Sequence, residues 1–465
     1  MIQHKKPIVY PYIPNSVPAA KEAMLKAVNA QSVDDFYADI PDAIRFKGKL
    51  NLPEPFLSEA GLVRHIEGLL AKNTSARESL SFLGAGCYQH HVPAVCDEIN
   101  SRGEFLTAYA GDPYEDHGRF QALFEYESMM GELLNMDVVN VPNYDGFQAA
   151  GTALLMAGRI TGRSEALICG TIGADKLSKI RDYIKPHLDI VLLDYAPESG
   201  LMSLADLKAK ISDKTAALFF ENPSYLGFLE TQAAEISKIA HENGALSVVY
   251  VDPISLGVVN PPVEYGGDIA CGDIQPLGMH MQYGGGHGGF IATKDDPKFV
   301  MEFPSRLFGV SSTCVEGEYG FGDVAYERTS FAVREEGKEW VGTASALWGI
   351  TAGVYLALMG PQGMVEIGEG IMQRVEYAIR KLNQVPGLKI RFDGIHFKEF
   401  IVDFNGTGQT VSSIHQKLLN KDIFGGKDLS KEFPELGQCA LYAVTEIHSQ
   451  VDIDRLVAIL TEVLK

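Results

Sequence analysis

The chain has 465 residues, 46% of them hydrophobic, which is enough for more than one compact domain. Its formal net charge of −20 argues against a nucleic-acid partner, because phosphate binding requires a basic surface. The six cysteines form no Cys-x-x-Cys pair, which favours reduced thiols. No segment reaches the roughly 18 consecutive apolar residues of a membrane helix. We therefore expect a cytoplasmic protein that does not associate with membranes.

Residues 1–75 are predicted to form an N-terminal extension. A helical stretch runs from Ala19 to Ala30, and Ser32 has the character of a second helix cap. The segment Leu50–Pro55, Leu-Asn-Leu-Pro-Glu-Pro, breaks regular structure and is expected to cross a surface of this chain or of a neighbour. Ser58 then begins a helix that extends to Leu70.

Residues 76–355 alternate between short apolar runs and helical patterns, which predicts an α/β domain with a mostly parallel sheet. Residues 356–465 mix strands and helices and are predicted to form a smaller α+β domain. The expected strands of the larger domain are 166–169, 189–193, 216–220, 247–251 and 289–292; the expected helices are 120–134, 147–161, 176–185, 204–211 and 232–243.

Asp252 follows the strand pattern of 245–251, and a second segment, Gly272–Gly278, comes further along the chain. In a pyridoxal-phosphate enzyme, an Asp in this position pairs with the pyridinium nitrogen and a later Lys forms the Schiff base. No lysine lies between Lys238 and Lys294. Either this chain has lost the chemistry, or it serves a partner that has kept it.

Two further segments have open interpretations. Tyr88 and His90 lie in a run with two glycines that either approaches a ligand or forms a structural turn. Asn143, Tyr144 and Asp145 precede a helix that begins with small residues. That helix start either binds an anion such as a cofactor phosphate, or is only capped by Asp145.

Asn222 follows a buried strand, at the end where ligand sites in open α/β sheets lie, although Asn-Pro is also a common turn. Gly284, Gly285 and Gly286 precede His287 and form either a phosphate-approaching loop or a tight turn. His287 lacks the neighbouring ligands of a metal site, so no metal is expected.

Blocks of sequence along nearly the whole chain resemble one family, that of subunit 1 (the α-type subunit) of the two-subunit glycine dehydrogenase (decarboxylating), the P-protein of the glycine cleavage system. So many matches in order are more specific than any single motif. The blocks are 12–14, 39–41, 50–55, 82–86, 104–109, 136–137, 144–146, 275–278, 354–361 and 443–446.

The resemblance implies a fold-type I pyridoxal-phosphate architecture and an α2β2-type heterotetramer. Subunit 2 of that assembly carries the Schiff-base Lys and the pyridoxal phosphate, and subunit 1 is a pseudo-catalytic paralogue. The implied reaction is glycine decarboxylation, after which the aminomethyl group passes to the lipoyl arm of the H-protein. The candidate cofactor-site residues are Asp252, Gly284, Gly285 and Gly286; the candidate substrate or interface residues are Tyr88, His90, Tyr109, His117, Asn143, Tyr144, Asp145, Asn222, Gln275, Lys338 and Trp340.

Two segments depart from the family pattern: Ala110–Gly118, which contains His117, and Lys338–Trp340. Drift in a non-catalytic subunit explains both. A paralogous complex that acts on another amino acid is a second explanation. A third possibility is a regulatory or binding protein that has kept only the fold.

Overall fold

The structure is a computed structural model that describes residues 9–106, 117–329, 332–339 and 344–465. The chain divides into two compact units, Met1–Asn73 and Thr74–Lys465. Within the described residues, no helix combines the length and the apolar character needed to span a membrane.

The described α-helices are α1 Pro18–Ala27, α2 Glu59–Leu70, α3 Ala94–Asn100, α4 Gly103–Leu106, α5 His117–Leu134, α6 Gly146–Thr161, α7 Ala174–Ile184, α8 Leu204–Lys210, α9 Ala233–Glu242, α10 Pro297–Val300, α11 Ala346–Leu382, α12 Val411–Leu419 and α13 Gln450–Val463. The described strands are β1 Leu80–Ser81, β2 Val138–Val139, β3 Glu165–Cys169, β4 Asp189–Leu193, β5 Thr215–Glu221, β6 Leu246–Val251, β7 Ile269–Asp273, β8 Gly289–Thr293, β9 Phe308–Ser312, β10 Tyr319–Asp323, β11 Lys389–Ile390, β12 Glu399–Asp403, β13 Ile423–Phe424, β14 Lys427–Asp428 and β15 Cys439–Ala443.

The first unit consists of short helices whose starts follow the local sequence. The Ser58 side chain accepts a hydrogen bond from the Gly61 amide and caps α2, as the sequence predicts. Ser32 and Asp35 form a reciprocal capping box at a short 3₁₀ turn. Neither α1, α2 nor that turn contains a buried residue.

The second unit is built on a seven-stranded sheet in the order β2-β8-β7-β6-β5-β3-β4. The pairs from β7 through β6, β5 and β3 to β4 are parallel, and β8 is antiparallel to both of its neighbours. The mostly parallel α/β sheet predicted from the sequence is therefore confirmed. Alternate residues of β5 enter different cores: Phe219 packs on one face, whereas Leu218 and Phe220 pack on the other.

The sequence pattern did not predict β7, the strand that ends at Asp273. Its run Ile-Ala-Cys-Gly-Asp lacks bulky β-branched residues after Ile269, which weakens the strand pattern. The strand nevertheless needs a glycine in its interior. A Cβ at Gly272 would lie 2.3 Å from the Val251 carbonyl oxygen and 2.7 Å from the Phe290 ring.

A second, four-stranded sheet in the order β11-β12-β15-β14 lies in the C-terminal part of the same unit. It follows α11, the long helix Ala346–Leu382. Gly360, with φ of 59°, and Pro361 interrupt the regular geometry of α11 and separate its halves. The predicted domain boundary at residues 355 and 356 falls inside this helix and stays a prediction.

Candidate functional site

Three parallel strands place acidic side chains at one edge of the large sheet. Glu221 ends β5, Asp252 directly follows β6 and Asp273 ends β7. The carboxyl ends of parallel strands form the usual ligand-binding edge of an open α/β sheet. All three line a cavity of about 80 Å³, together with Ala85, Gly86, Tyr88 and the segment that leads into β12.

The Asp252 carboxylate is paired with Lys398, a lysine from the C-terminal part of the chain. The Lys398 ammonium contacts Asp252 Oδ2, and the lysine side chain is only 2% exposed. Its Nζ also lies 4.1 Å from the centre of the Tyr88 ring. The other oxygen, Oδ1, accepts a hydrogen bond of 3.0 Å from the Ile254 amide. Asp252 therefore binds an ammonium where the sequence suggested a pyridinium.

The other lysines that line the cavity are paired as well. Lys176 forms a buried ion pair with Glu221, and its Nζ stands 3.5 Å above the centre of the Tyr250 ring. Lys427 Nζ lies 2.9 Å from a carboxylate oxygen of Glu432. Each of these amines thus has a carboxylate partner within the chain.

Asp273 occupies the start of α6, where the sequence left open a phosphate-binding role. Its Oδ2 accepts a hydrogen bond of 2.8 Å from the Gly146 amide, and its Oδ1 accepts one of 2.9 Å from the Gln275 amide. Asp145 caps the same helix, with Oδ1 accepting a hydrogen bond of 2.8 Å from the Gln148 amide. Two carboxylates of the chain therefore supply the negative charge that a helix N-terminus attracts.

Glu399 links the Tyr88 segment to the second sheet. Its two oxygens accept hydrogen bonds of 2.6 Å from the Ala85 amide and 2.8 Å from the Tyr88 hydroxyl. Burial raises the pKa of Glu399 to about 7, although both hydrogen bonds oppose the rise. Gln275 holds the same segment from the other side, accepting from the Tyr88 amide at 3.0 Å and donating to its carbonyl at 2.9 Å.

His90 takes part in a neighbouring buried pair outside the cavity lining. Its Nδ1 lies 2.7 Å from Glu446 Oε2, and the His91 amide donates to Glu446 Oε1 at 2.6 Å. Burial alone would raise the pKa of Glu446, but His90 lowers it to about 2. This arrangement anchors the segment after Tyr88 to the C-terminal part of the chain.

The remaining candidates on the large sheet have structural contacts. Asn222 Oδ1 accepts a hydrogen bond of 3.1 Å from the Glu230 amide. The main chains of Asn143 and Gly289 exchange hydrogen bonds of 2.7 and 3.0 Å. Tyr144 is half exposed, and its amide donates to the side chain of Gln148 at 3.0 Å. None of these three candidates lines the cavity.

Gly284, Gly285 and Gly286 belong to a tight turn outside the cavity lining. The amides of Gly284 and Gly285 donate to carbonyls three residues earlier, at 2.7 and 3.0 Å. Lys338 is also outside the cavity: its ammonium lies 3.5 Å from the Glu302 carboxylate and contacts the Met301 carbonyl. Tyr109 and Trp340 lie outside the described residues, and His117 is the first residue of α5.

Sequence reasoning missed Lys176, Glu221 and Lys398, and it quoted Asp273 without a role. Glu221 could have been found, because it directly follows the predicted strand 216–220, at the same sheet edge as Asp252. Asp273 ends β7, which the sequence pattern did not predict. Lys398 could not have been found, since 146 residues separate it from its carboxylate partner. Only the docking of the second sheet brings the two together.

The described residues do not fit pyridoxal phosphate. The interval between Lys238 and Lys294 contains no lysine, and the lysines that line the cavity are held in ion pairs. Asp273 already binds the helix-start amide of Gly146. The cavity of about 80 Å³ is also well below the roughly 300–1,000 Å³ of small-molecule sites.

The sheet order and the site at its carboxyl edge define the class as a fold-type I, pyridoxal-phosphate-enzyme-like α/β protein. A sphingosine-1-phosphate lyase of Burkholderia pseudomallei K96243 shows the same fold, with a TM-score of 0.67 and 14% identity, over 91% of this chain and 94% of that one. A crystal structure of glycine decarboxylase (P-protein) of the glycine cleavage system, in inhibitor-bound form, matches with a TM-score of 0.84 and 32% identity, over 98% of this chain and 100% of that one.

Sequence comparison agrees with the structural match. The chain is 39% identical to a probable glycine dehydrogenase (decarboxylating) subunit 1 of Staphylothermus marinus, with 98% of both chains covered. It is 38% identical to the protein of the same description in Pyrococcus furiosus, over 97% of this chain and 99% of that one. The model of the glycine cleavage system P-protein family matches residues 11–460. The chain therefore belongs to the glycine cleavage system P-protein family.

Proposed function

We propose that this chain is subunit 1 of a glycine decarboxylase P-protein and that it is not catalytic on its own. The observation that carries the proposal is the cavity in which Lys398 neutralises Asp252 and Lys176 neutralises Glu221. Lysines of the chain pair with the carboxylates at the sheet edge, and the Asp273 carboxylate accepts a hydrogen bond from the Gly146 amide at the start of α6. The site is thus complete without a cofactor.

In this proposal, pyridoxal phosphate is bound by a homologous subunit 2, which carries the Schiff-base lysine. The curated relatives in Staphylothermus marinus and Pyrococcus furiosus are both described as subunit 1, which supports an assembly of unlike subunits. The proposal includes an α2β2 stoichiometry, glycine as the small amino-acid substrate and the lipoyl H-protein as acceptor, and the family membership supports these assignments. The cytoplasmic location stays a prediction.

The N-terminal unit supports a role in assembly. Its described residues expose large apolar side chains, among them Tyr12 at 96%, Leu57 at 81% and Ile44 at 77%. Exposed apolar patches mark protein–protein interfaces, and the number of exposed apolar side chains in this unit supports such a role. We assign it to contact with subunit 2, since a partner of that class is implied by the descriptions of the relatives.

Reconstitution tests the proposal. The purified chain is incubated with pyridoxal phosphate and reduced with borohydride, and lysine adducts are mapped by mass spectrometry, with the lysine-bearing homologue as positive control. We expect no adduct on this chain and one on the homologue. Glycine–bicarbonate exchange, assayed with lipoylated H-protein, should require both chains. An adduct on this chain, or exchange by either chain alone, would overturn the proposal.

The alternatives give different outcomes in the same assay. A paralogous complex would exchange another amino acid, such as alanine or serine, faster than glycine. A regulatory or binding protein would not form a stable complex with the homologue. Lys338 pairs with Glu302 away from the cavity. Trp340, in the same departing segment, lies outside the described residues, so the paralogous complex stays an alternative.

A further inference from the structure

The glycine-rich loop before β8 presents a tyrosine that the cavity does not use. Tyr283 is 105% exposed, which makes it the most exposed large hydrophobic side chain among the described residues. Other surface tyrosines of the second unit keep part of the ring covered: Tyr319 is 74% exposed and Tyr144 is 45% exposed. Water surrounds the whole Tyr283 ring, so its burial against a partner would release the full hydrophobic free energy of an aromatic side chain.

The backbone at Tyr283 has a conformation that glycine adopts more easily than tyrosine. Gln282 and Tyr283 have φ of 45° and 56°, so both lie in the left-handed region, where a Cβ is strained. The chain places glycine at 284, 285 and 286, yet it keeps a large side chain at 283. Strained conformations of this kind cluster at binding and catalytic sites. Since the Tyr283 side chain is fully exposed, packing within the chain does not explain why it is kept.

Contacts at the base of the loop hold Tyr283 at a defined position. His287 Nδ1 lies 3.0 Å from Asp273 Oδ2, which fixes the C-terminal end of the loop. A Cβ at Gly286 would lie 2.2 Å from the His280 carbonyl oxygen, so the loop closes tightly across its base. Tyr283 is at the tip of this closed loop. A side chain that is presented by a fixed backbone loses less conformational entropy on binding.

The exposed surface around Tyr283 carries no formal charge. The run 280–285, His-Met-Gln-Tyr-Gly-Gly, contains no Asp, Glu, Lys or Arg, although these residues make up 22% of the chain and its net charge is −20. The centres of protein–protein interfaces are depleted in charged residues and enriched in tyrosine and methionine. A partner that docks on this loop therefore removes no charged side chain of the run from water.

We propose that Tyr283 is an anchor residue of the interface between this chain and the lysine-bearing subunit 2. The identity of the partner rests on the proposed function, which the descriptions of the relatives as subunit 1 support. The loop follows the end of β7, at the sheet edge where this fold class binds its ligands. The matching surface of subunit 2 is an apolar pocket with a hydrogen-bond acceptor for the phenol hydroxyl, because tyrosine buries a large ring and one polar group.

Affinity measurements test the anchor against a matched tyrosine. By sedimentation velocity, Tyr283→Ala should raise the Kd for subunit 2 at least about tenfold. Tyr319→Ala is the control and should leave the Kd unchanged, since Tyr319 is also exposed but lies beside Glu316 and Glu318. An unchanged Kd in Tyr283→Ala, or an equal rise in Tyr319→Ala, would overturn the proposal and leave the proposed function intact. If the unaltered chain formed no complex with subunit 2, both would be overturned.

Tyr283→Gly separates a binding role from a structural one. Glycine removes the ring and adopts a φ of 56° without strain. The thermal midpoint of the isolated chain should therefore not fall, whereas the Kd for subunit 2 should rise at least about tenfold. A midpoint that falls while the Kd stays unchanged would show that Tyr283 stabilises the chain itself, and would overturn the proposal.

Photo-crosslinking identifies the molecule that covers the loop. The variant Tyr283→p-benzoylphenylalanine keeps an aromatic ring at the tip, and it is irradiated in the complex with subunit 2. We expect a covalent adduct with subunit 2, mapped by mass spectrometry of the crosslinked peptides. Adducts only with a second copy of this chain would assign the loop to a contact between copies. That result, or no adduct in an intact complex, would contradict the assignment to subunit 2.

Discussion

The ammonium of Lys398 contacts the carboxylate of Asp252 in a buried ion pair between residues 146 positions apart. Asp252 follows β6 of the large sheet, and Lys398 directly precedes β12 of the second sheet. The contact therefore joins the two sheets at the edge where this fold class binds ligands. An internal cation compensates the buried carboxylate, and the chain needs no ligand there for charge balance.

Lys398→Met should destabilise the chain strongly. Removal of one member of a buried ion pair leaves an uncompensated charge, which costs about 3–5 kcal/mol. The free energy of unfolding, measured by urea denaturation, should fall by that amount. The double variant Lys398→Met with Asp252→Asn should recover part of the loss, since neither charge remains.

Lys381→Met is the matched control for that substitution. Lys381 pairs with Asp454 at 3.0 Å, but both side chains are partly exposed, and exposed pairs contribute little because water already solvates them. We expect its urea midpoint to match that of the unaltered chain. If both variants lost the same free energy of unfolding, the buried pair of Lys398 with Asp252 would contribute no more to stability than an exposed pair.

Glu399 should make stability fall as pH rises from 4.5 to 7. Burial raises its pKa from an ordinary 4.5 to about 7 in the folded chain. In that window the folded state binds more protons at this carboxyl than the unfolded state does, so the free energy of unfolding decreases with pH. Glu399→Gln removes the ionisation. Relative to the unaltered chain, it should gain up to about 3 kcal/mol between pH 4.5 and pH 8.

The Glu399 prediction is checked by urea unfolding of both proteins at several pH values. Glu462→Gln, which removes an exposed carboxylate paired with Lys421, serves as the control and should follow the unaltered chain. A difference between Glu399→Gln and the unaltered chain that stays constant from pH 5 to pH 8 would rule out the prediction.

Glu446, unlike Glu399, should make the stability of the chain rise with pH. His90 holds the pKa of its buried carboxyl at about 2, below the ordinary value of 4.5. The stabilisation is fully present above pH 4.5 and is lost as the pH falls towards 2, because the unfolded state then binds the proton more readily. Glu446→Gln lacks this contribution, so its deficit in urea unfolding should shrink as the pH falls from 5 to 3. A deficit that is the same at both pH values would contradict the assignment.

Local patterns were sufficient to predict most of the architecture. The five expected strands of the larger domain all occur, and Ser58 caps α2 as predicted. These features depend on residues close together in the chain, such as a polar cap before an apolar helix face. Strand β7 was missed because Gly272 and its small neighbours accommodate Phe290, a contact that only the folded sheet defines.

The site was predictable only in part, for a related reason. Asp252 was identified from its position after a strand, and the absence of a lysine in the interval was visible directly. The compensating groups were not, since Lys398 and Glu399 come from the second sheet. The charge of Asp252 is compensated by a residue that is distant in the sequence. The sequence therefore reveals that a lysine is missing from the interval, but not that Lys398 pairs with Asp252.

Gly227→Ala should disrupt the contact between the loop after β5 and the strand that carries Glu399. Gly227 has φ of +95°, and a Cβ there would lie 2.2 Å from the Glu399 carbonyl oxygen. The backbone oxygen cannot move without shifting β12. Gly408→Ala, with φ of +70° and nothing within 4 Å of its added Cβ, imposes only the backbone strain. We expect Gly227→Ala to cost at least about 2 kcal/mol more than Gly408→Ala in urea unfolding. An equal loss of unfolding free energy in the two variants would mean that β12 shifts to accommodate the added methyl group without a measurable cost.

Ile44→Asp should weaken the proposed assembly with subunit 2 without unfolding the chain. Ile44 is 77% exposed in the N-terminal unit, so a carboxylate there meets water in the isolated chain and is desolvated only at an interface. Val451→Asp is the control, because Val451 is 75% exposed but lies in the second unit. By sedimentation velocity, Ile44→Asp should raise the Kd for subunit 2 at least about tenfold, equivalent to about 1.4 kcal/mol. The thermal midpoints of both variants alone should match the unaltered chain. An unchanged Kd in Ile44→Asp, or an equal increase in Val451→Asp, would remove the N-terminal unit from the proposed interface.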